Sequence, residues 1–261
     1  MLLNRLSLAL SVFICLSGCF FANPVLAVTK KVSSGTVKAE LTYSPFEKGS
    51  IYYINIRLKI TRQGKTLFRT GIASSYGDPE LRVIDLDKDK EPEILVSGKQ
   101  SASSSGSGST SIYRYNSTKN KYDELLVNWC SDTFEIKDID KDGKVEFEAL
   151  DCIGAEFTSN SDAVHPILIW QYRQGKLINA TRRFPSRVRN NANAAWQSYL
   201  RKKKEGWNVK GALTAYLACK YLLGEEVEGW KQVKQAYQGS DRLTFFQELR
   251  QHLINKGYAR S

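Results

Sequence analysis

One acidic segment occurs twice in this chain of 261 residues, and that recurrence constrains the fold more than any other feature. Residues 85–93 match residues 138–146, an offset of 53 (138 minus 85). Each copy follows a short strand-like stretch, and each is followed by a strand of the form Ile-aromatic-x-Tyr (residues 112–115 and 169–172). A recurrence of this length predicts an architecture built from repeats of one supersecondary unit.

The segment before the first acidic copy also reads as strands. Four apolar residues alternate with polar ones, as expected of half-buried strands: Ile54, Ile56, Leu58 and Ile60. The hairpin Ile51 to Thr70 then counts as a degenerate third unit without an acidic loop. Because a propeller needs about four to eight blades, we expect an open assembly of propeller-like or sandwich-like β units rather than a closed one.

From Ser186 onward the apolar spacing becomes helical. Ser186, Asn208, Glu225 and Ser240-Asp241 start four predicted helices, whose inward faces include Leu200 and Val227, and glycines end them. The fold class predicted is therefore α+β: an N-terminal all-β repeat region followed by a small helical bundle. The predicted divisions are a signal peptide (1–27), a β-hairpin region (28–74), two β repeats (75–183) and a basic helical domain (184–261).

The acidic segments have the chemistry of a calcium loop. Calcium takes six to eight oxygen ligands, and carboxylates at loop positions 1, 3 and 5 converge when a glycine at position 6 permits a tight turn. An EF-hand needs Glu at position 12 and flanking helices, whereas position 12 is Val96 or Ala149 and the flanks are strands. The acidic residue at position 9, Glu93 or Glu146, closes the predicted site instead.

The pattern Asp-x-Asp-x-Asp-Gly-x-x-Glu between short strands resembles the calcium loop of FG-GAP/VCBS repeats, the units of integrin-type propellers. The resemblance covers residues 75–180, and the whole chain is similar to small exported proteins of that family with a helical tail. It implies Ca²⁺ ligands in the second loop: Asp138, Asp140, Asp142, Glu146 and the carbonyl of Lys144. In the first loop it implies Asp85, Asp87, Asp89, Glu93 and the carbonyl of Glu91. The first loop departs from the pattern at Lys90 and Pro92, and the alternative is that both loops are solvated acidic turns.

The strands that flank the second loop predict how two of the cysteines pair. If these flanking strands pair as a hairpin in which opposed residue numbers sum to 282, Cys130 and Cys152 face each other. The spacing therefore predicts a disulfide between them, with two buried free thiols as the alternative. Cys219 is the odd cysteine and is expected to be buried.

Residues 1–27 have the layout of an export signal: one charge, Arg5, then an apolar run that is too short to span a bilayer. Cleavage after Ala27 predicts a periplasmic or secreted protein. Leu16 to Cys19 also resembles a lipobox, so the alternative is a lipoprotein anchored through Cys19. No transmembrane span is expected after processing.

The charge is concentrated in the C-terminal part, where residues 181–261 carry 16 Lys and Arg against 6 Asp and Glu, a net of +10. Eight basic residues are candidates for a patch that binds anionic lipid, acidic polysaccharide or nucleic acid: Arg182, Arg183, Arg187, Arg189, Arg201, Lys202, Lys203 and Lys204. The alternative is solvated surface, and export argues against nucleic acid. The partner expected is a protein or an anionic envelope polymer or lipid.

Catalytic signals are weak. The chain has two histidines, His165 and His252, and lacks the common nucleophile and zinc motifs. The sequence therefore predicts an exported, calcium-binding, non-enzymatic interaction module. The alternative is an extracytoplasmic hydrolase that acts on a polysaccharide or another cell-envelope substrate.

Overall fold

The computed structural model describes residues 26–102, 106–131 and 134–259. The expected export signal, with Cys19, lies almost entirely outside the described residues. Twelve strands precede four helices in the described part. The strands are β1 (Val28–Ser34), β2 (Val37–Pro45), β3 (Tyr52–Arg62), β4 (Lys65–Gly71), β5 (Ser75–Ile84), β6 (Glu93–Lys99), β7 (Gly108–Asn116), β8 (Lys121–Trp129), β9 (Glu135–Lys137), β10 (Glu146–Leu150), β11 (Ile167–Arg173) and β12 (Lys176–Asn179). The helices are α1 (Pro185–Lys204), α2 (Lys210–Leu223), α3 (Glu226–Ala236) and α4 (Arg242–Asn255).

The strands form two antiparallel sheets. The larger sheet has the order β1-β2-β3-β5-β6-β7-β8, with β4 paired to β3, and the smaller has the order β12-β11-β10-β9. The units β5–β8 and β9–β12 have the same succession of strand, acidic loop and three further strands. The class is therefore α+β, as the sequence predicts, and the described strands leave both sheets open.

Three apolar cores separate the molecule into four layers. The first core lies between β1–β4 and one face of β5–β8, with Leu58, Ile94 and Tyr113 among its members. The second lies between the other face of β5–β8 and the small sheet, and it contains Leu95, Ile112 and Phe147. The third joins the small sheet to the helices. Because successive strand residues point to opposite faces, neighbours such as Ile94 and Leu95 serve different cores.

The helical layer follows the predicted pattern with local differences. Gly224 ends α2 in the left-handed conformation, with φ 74°. Ser186 does not cap α1, because the helix already begins at Pro185. Leu200 and Val227, predicted to face inward, are 45% and 81% exposed, since the small sheet and α2 cover a narrower stripe of each helix than the apolar pattern suggests.

Arg182 joins the helical layer to the segment that follows the last strand. Its guanidinium donates hydrogen bonds to the carbonyl oxygens of Tyr221 (2.7 Å) and Leu222 (3.0 Å) at the end of α2, and of Tyr258 (2.6 Å) beyond α4. These carbonyls lie at or beyond helix ends, where intrahelical donors are missing. One basic residue thus joins three separate segments.

Cys130 and Cys152 lie at bonding distance, with sulfur atoms 2.06 Å apart, but the predicted register is wrong by one. In the β9–β10 ladder Glu146 opposes Lys137 and Phe147 opposes Ile136, so the opposed numbers sum to 283. Both cysteines lie outside that ladder, Cys130 directly after β8 and Cys152 in a short 3₁₀ helix, Cys152–Phe157. The bond therefore links the first repeat to the segment that leaves β10. Cys219 is buried and unbonded.

In the described part of the chain, no helix combines the length and apolarity needed to cross a membrane.

Two candidate metal centres

The two acidic loops have the same backbone form. Positions 4 and 6 have positive φ in both: Lys88 (65°) and Lys90 (70°) in the first loop, Lys141 (60°) and Gly143 (84°) in the second. The amide of the residue at position 6 donates to the Asp at position 1, at 2.9 Å in each loop. Lys90 therefore adopts the conformation that the pattern assigns to glycine, and the first loop keeps the shape despite its different sequence.

Each loop brings three carboxylates together. Asp85, Asp87 and Glu93 each offer an oxygen within 4.8 Å of the others, and so do Asp138, Asp140 and Glu146. Oxygens that share one calcium at about 2.3–2.6 Å lie at most about 5 Å apart, so the spacing fits that ion. Positions 1, 3 and 9 of the predicted ligand set therefore converge in both repeats.

The glutamate at position 9 is the buried member of each cluster. Glu93 and Glu146 are both 0% exposed, because they begin β6 and β10 in the second core. Their Oε2 atoms accept from the amides of Leu86 (3.1 Å) and Ile139 (2.9 Å). Burial raises the pKa of the Glu93 carboxyl to about 8 and also raises the pKa of Glu146. A nearby cation would therefore favour the charged form of either group.

The two buried glutamates differ in the hydrogen bonding of their second carboxylate oxygen, Oε1. Glu146 Oε1 accepts from Gln171 Nε2 at 2.9 Å, whereas Glu93 Oε1 is buried without a hydrogen bond. Asp87 Oδ1, in the same cluster, is also buried without one. Buried polar atoms are nearly always satisfied, so the first cluster contains two acceptor atoms suited to a cation.

The predicted carboxylate ligands at position 5 are not in the clusters. The Oδ1 atoms of Asp89 and Asp142, at position 5, accept hydrogen bonds from the backbone amides of Glu91 and Lys144, each at 2.8 Å. The Glu91 carboxylate pairs with Arg62. The carbonyl oxygens of Glu91 and Lys144 remain predicted ligands.

Two arginines lie beside the clusters: Arg114, which sequence reasoning missed, and Arg183, which it assigned to the basic patch instead. Arg114 donates to Asp89 Oδ2 at 3.1 Å, and its Nε lies 3.7 Å from Glu93 Oε1. Arg183 donates to Asp140 Oδ2 at 3.1 Å and to Gln171 at 3.0 Å. Both come from segments outside the loops, so no local spacing in the sequence indicates them. Each guanidinium neutralises part of the acidic charge.

The repeats also contact each other through their loops. Lys88 Nζ donates to the carbonyl of Asp142 at 3.1 Å, and the amide of Gln174 donates to Asp87 Oδ2 at 2.9 Å. The two clusters therefore lie on the same side of the stacked sheets.

Much of the predicted basic patch is engaged within the molecule. Arg182 binds carbonyls, as described above, and Arg189 pairs with Glu225 at 2.9 Å. Lys202 is only 6% exposed and pairs with Asp162 at 3.2 Å. Arg201, Lys203 and Lys204 stay exposed at the end of α1. The patch available to an anionic partner is thus smaller than its sequence suggests.

The histidines lie in different surroundings. His165 is close to Asp151, and burial lowers the pKa of its imidazole. His252 contacts the ring of Phe157, with 5.1 Å between centroids.

The helical layer is similar to a known protein family. Residues 188–257 match the family model described as the sll0997 C-terminal domain, and these 70 residues run from the first turn of α1 to Gly257. Among curated proteins and among solved structures, none matches the chain. The chain is thus similar to sll0997 over its helices, while the two acidic repeats stand outside that match.

Proposed function

We propose that this protein is an exported, non-enzymatic binding module whose two β repeats are held rigid by calcium. The observation that carries the proposal is the recurrence of one three-carboxylate cluster at the same place in both units. A single cluster of acidic residues is common on protein surfaces. Two clusters with matching backbone φ values and a fully buried glutamate each are a repeated arrangement.

The ligand chemistry supports calcium rather than a softer metal. All three side chains in each cluster are carboxylates, and calcium prefers oxygen ligands. Asp87 Oδ1 and Glu93 Oε1, which are buried without a hydrogen bond, would gain a ligand bond. Calcium would supply positive charge to balance the acidic cluster. The amides of Leu86 and Ile139 hold Glu93 and Glu146 in place through hydrogen bonds.

The neighbouring arginines define the competing interpretation, in which a guanidinium is the only counterion. Arg183 is the sharper test case, because it contacts Asp140 directly. Removal of a positive charge beside a dication strengthens binding of the dication. We expect Arg183→Gln to bind calcium several-fold more tightly if the second cluster is a calcium site.

The experiment is thermal unfolding of residues 28–261 after calcium removal, then with calcium or magnesium added. Calcium at about a hundred times its Kd stabilises a protein by about 2.7 kcal/mol, which for this size is roughly 5–10 °C in Tm. Asp85→Asn/Asp87→Asn and Asp138→Asn/Asp140→Asn should each remove part of that shift. Glu47→Gln/Glu226→Gln, which removes two exposed carboxylates elsewhere, should keep all of it.

Calcium titration by calorimetry gives the stoichiometry, with two sites expected. An unchanged Tm in wild type, or an equal shift with magnesium, contradicts the calcium proposal. Loss of the shift in the Glu47/Glu226 control would show a general charge effect and would contradict it as well.

A further inference from the structure

The second and third layers separate at their edge strands and leave an apolar cleft of about 1000 Å³. We call this space the interlayer cleft. Its apolar walls come from β8 on one side and from β11 and β12 on the other, and they comprise Leu125, Val127, Trp129, Leu168, Trp170 and Leu177. Ligand pockets in proteins have volumes of about 300–1000 Å³, so the cleft has the capacity of a ligand site.

The walls of the cleft continue the second core. Trp129 is 5% exposed and stacks on Phe134 at 4.8 Å and Phe147 at 5.8 Å between ring centroids, which closes the inner end. Leu125 and Val127 belong to the same face of β8 as Trp129, yet they remain only half-buried. The same holds for Leu168 and Trp170 on β11. Covering such side chains removes apolar surface from water, so an apolar occupant is favoured.

The cleft also has a positive rim. Lys176 and Lys256, from β12 and from the segment after α4, line it and are exposed. Within the described residues neither lysine forms an ion pair. The one acidic residue of the lining, Asp151, already accepts hydrogen bonds from the Tyr258 hydroxyl (2.8 Å) and the Ile153 amide (3.2 Å). Two lysines and one aspartate give the lining a formal charge of +1 (2 minus 1), which complements an anion.

We propose that the interlayer cleft binds a single-chain amphiphile, with the acyl chain between the two sheets and an anionic headgroup at Lys176 and Lys256. The headgroup chemistry is a carboxylate or a phosphate. None of the acidic-loop residues lines the cleft, so this proposal does not rest on the calcium proposal.

The test uses the full mature chain with dodecanoate below its micellar concentration. A brominated dodecanoate quenches tryptophans only in contact, and Trp129 and Trp170 line the cleft. We expect saturable quenching, a lower maximum in Trp170→Phe, and displacement by plain dodecanoate. Dodecyl phosphate distinguishes a phosphate headgroup from a carboxylate. Dodecanol should bind at least fivefold more weakly than the anion, and dodecyltrimethylammonium more weakly still.

Two sets of variants test the position. Val127→Trp fills the cleft from a half-buried site and should reduce affinity more than tenfold while a cooperative thermal transition is kept. If that variant unfolds, Leu177→Phe provides a smaller filling. Lys176→Gln/Lys256→Gln should remove the preference for dodecanoate over dodecanol, whereas Lys48→Gln/Lys231→Gln should keep it.

Three results would overturn the proposal. The first is quenching that does not saturate or does not occur. The second is equal affinity for the anionic, neutral and cationic chains. The third is an affinity unchanged in both filling variants.

Discussion

The residue at position 6 of each acidic loop shows how one backbone shape is kept by two different side chains. Gly143 and Lys90 both have positive φ, and both donate their amide to the first aspartate of the loop. In an ordinary residue the left-handed conformation costs about 1–2 kcal/mol. At position 6 the first loop therefore carries a strain that the second avoids, while both loops carry it at position 4 through Lys88 and Lys141.

We expect Gly143→Ala to destabilise the protein by about 1 kcal/mol through this strain. A Cβ there would also lie 2.2 Å from Lys88 Nζ, whose flexible end can move away at the cost of its bond to Asp142. Urea unfolding measures the change. The matched control is Gly71→Ala, where φ is not positive and no atom lies within 4 Å of a Cβ, so its stability should be unchanged. Equal losses in both variants would contradict the backbone argument.

His165 gives a pH dependence whose sign follows from burial. Its pKa is lowered from 6.5 in the folded chain, with Asp151 as the nearby charge that opposes the shift. Below pH 6.5 the unfolded chain takes up a proton at this residue that the folded chain does not. The free energy of unfolding contributed by His165 therefore decreases as the pH falls below that value.

His165→Gln removes this contribution, so the variant should lose less stability than wild type between about pH 7 and pH 5. Urea unfolding at a series of pH values gives the difference curve, in which the carboxylates common to both proteins cancel. Parallel curves for the two proteins would show that His165 does not titrate differently in the two states.

At the scale of elements, the disulfide joins two pieces that no strand pairing connects. Cys130 directly follows β8, and Cys152 begins the 3₁₀ helix after β10, 22 residues later. Closing a loop of that length restricts the unfolded chain and stabilises the folded one by about 3 kcal/mol.

We expect Cys130→Ser/Cys152→Ser to lose about that amount, measured by urea unfolding of the oxidised wild type and the variant. Reduction of wild type should lower its stability to the level of the variant. The Cys219→Ser variant is the control, because Cys219 is buried and unbonded. A double variant as stable as oxidised wild type would contradict the role of the bond.

The elements also show where sequence reasoning succeeds and where it fails. The carboxylates at positions 1, 3 and 9 converge as predicted, because one short loop and its following strand fix all three. Position 5 does not join them, since Asp89 and Asp142 satisfy the loop backbone instead. The loop between the opposed residues Lys137 and Glu146 has eight residues (138–145), whereas a sum of 282 requires an odd number, so the predicted register was wrong by one. Arg114, Arg183 and the interlayer cleft come from distant segments, and no local pattern indicates their meeting.

At the scale of the whole molecule, the change in charge and period near residue 181 suggests a separable helical domain, yet the cores join the two parts. Ile167 and Ile169 of β11 belong to the same core as Leu213 and Leu217 of α2. Removal of either part would expose apolar surface on the other, which costs about 25 cal/mol per Å².

We therefore expect the helices and sheets to unfold together. Far-ultraviolet circular dichroism, dominated by the helices, and near-ultraviolet signals from the Trp129 stack should give coincident thermal transitions. Two separated transitions, or a stable isolated fragment 184–261, would show that the helical part folds independently.

The order of the four layers has a consequence for how such a chain can grow. A stacked repeat needs a neighbour on each apolar face, and here β1–β4 cover the outer face of the first unit while the helices cover the outer face of the second. An additional copy attached at either end would meet a surface that is already sealed. At the junction between the two units, however, each unit has an apolar face that already packs against a repeat. Lengthening of this array by duplication is therefore compatible with the fold at its interior junction and incompatible at its ends.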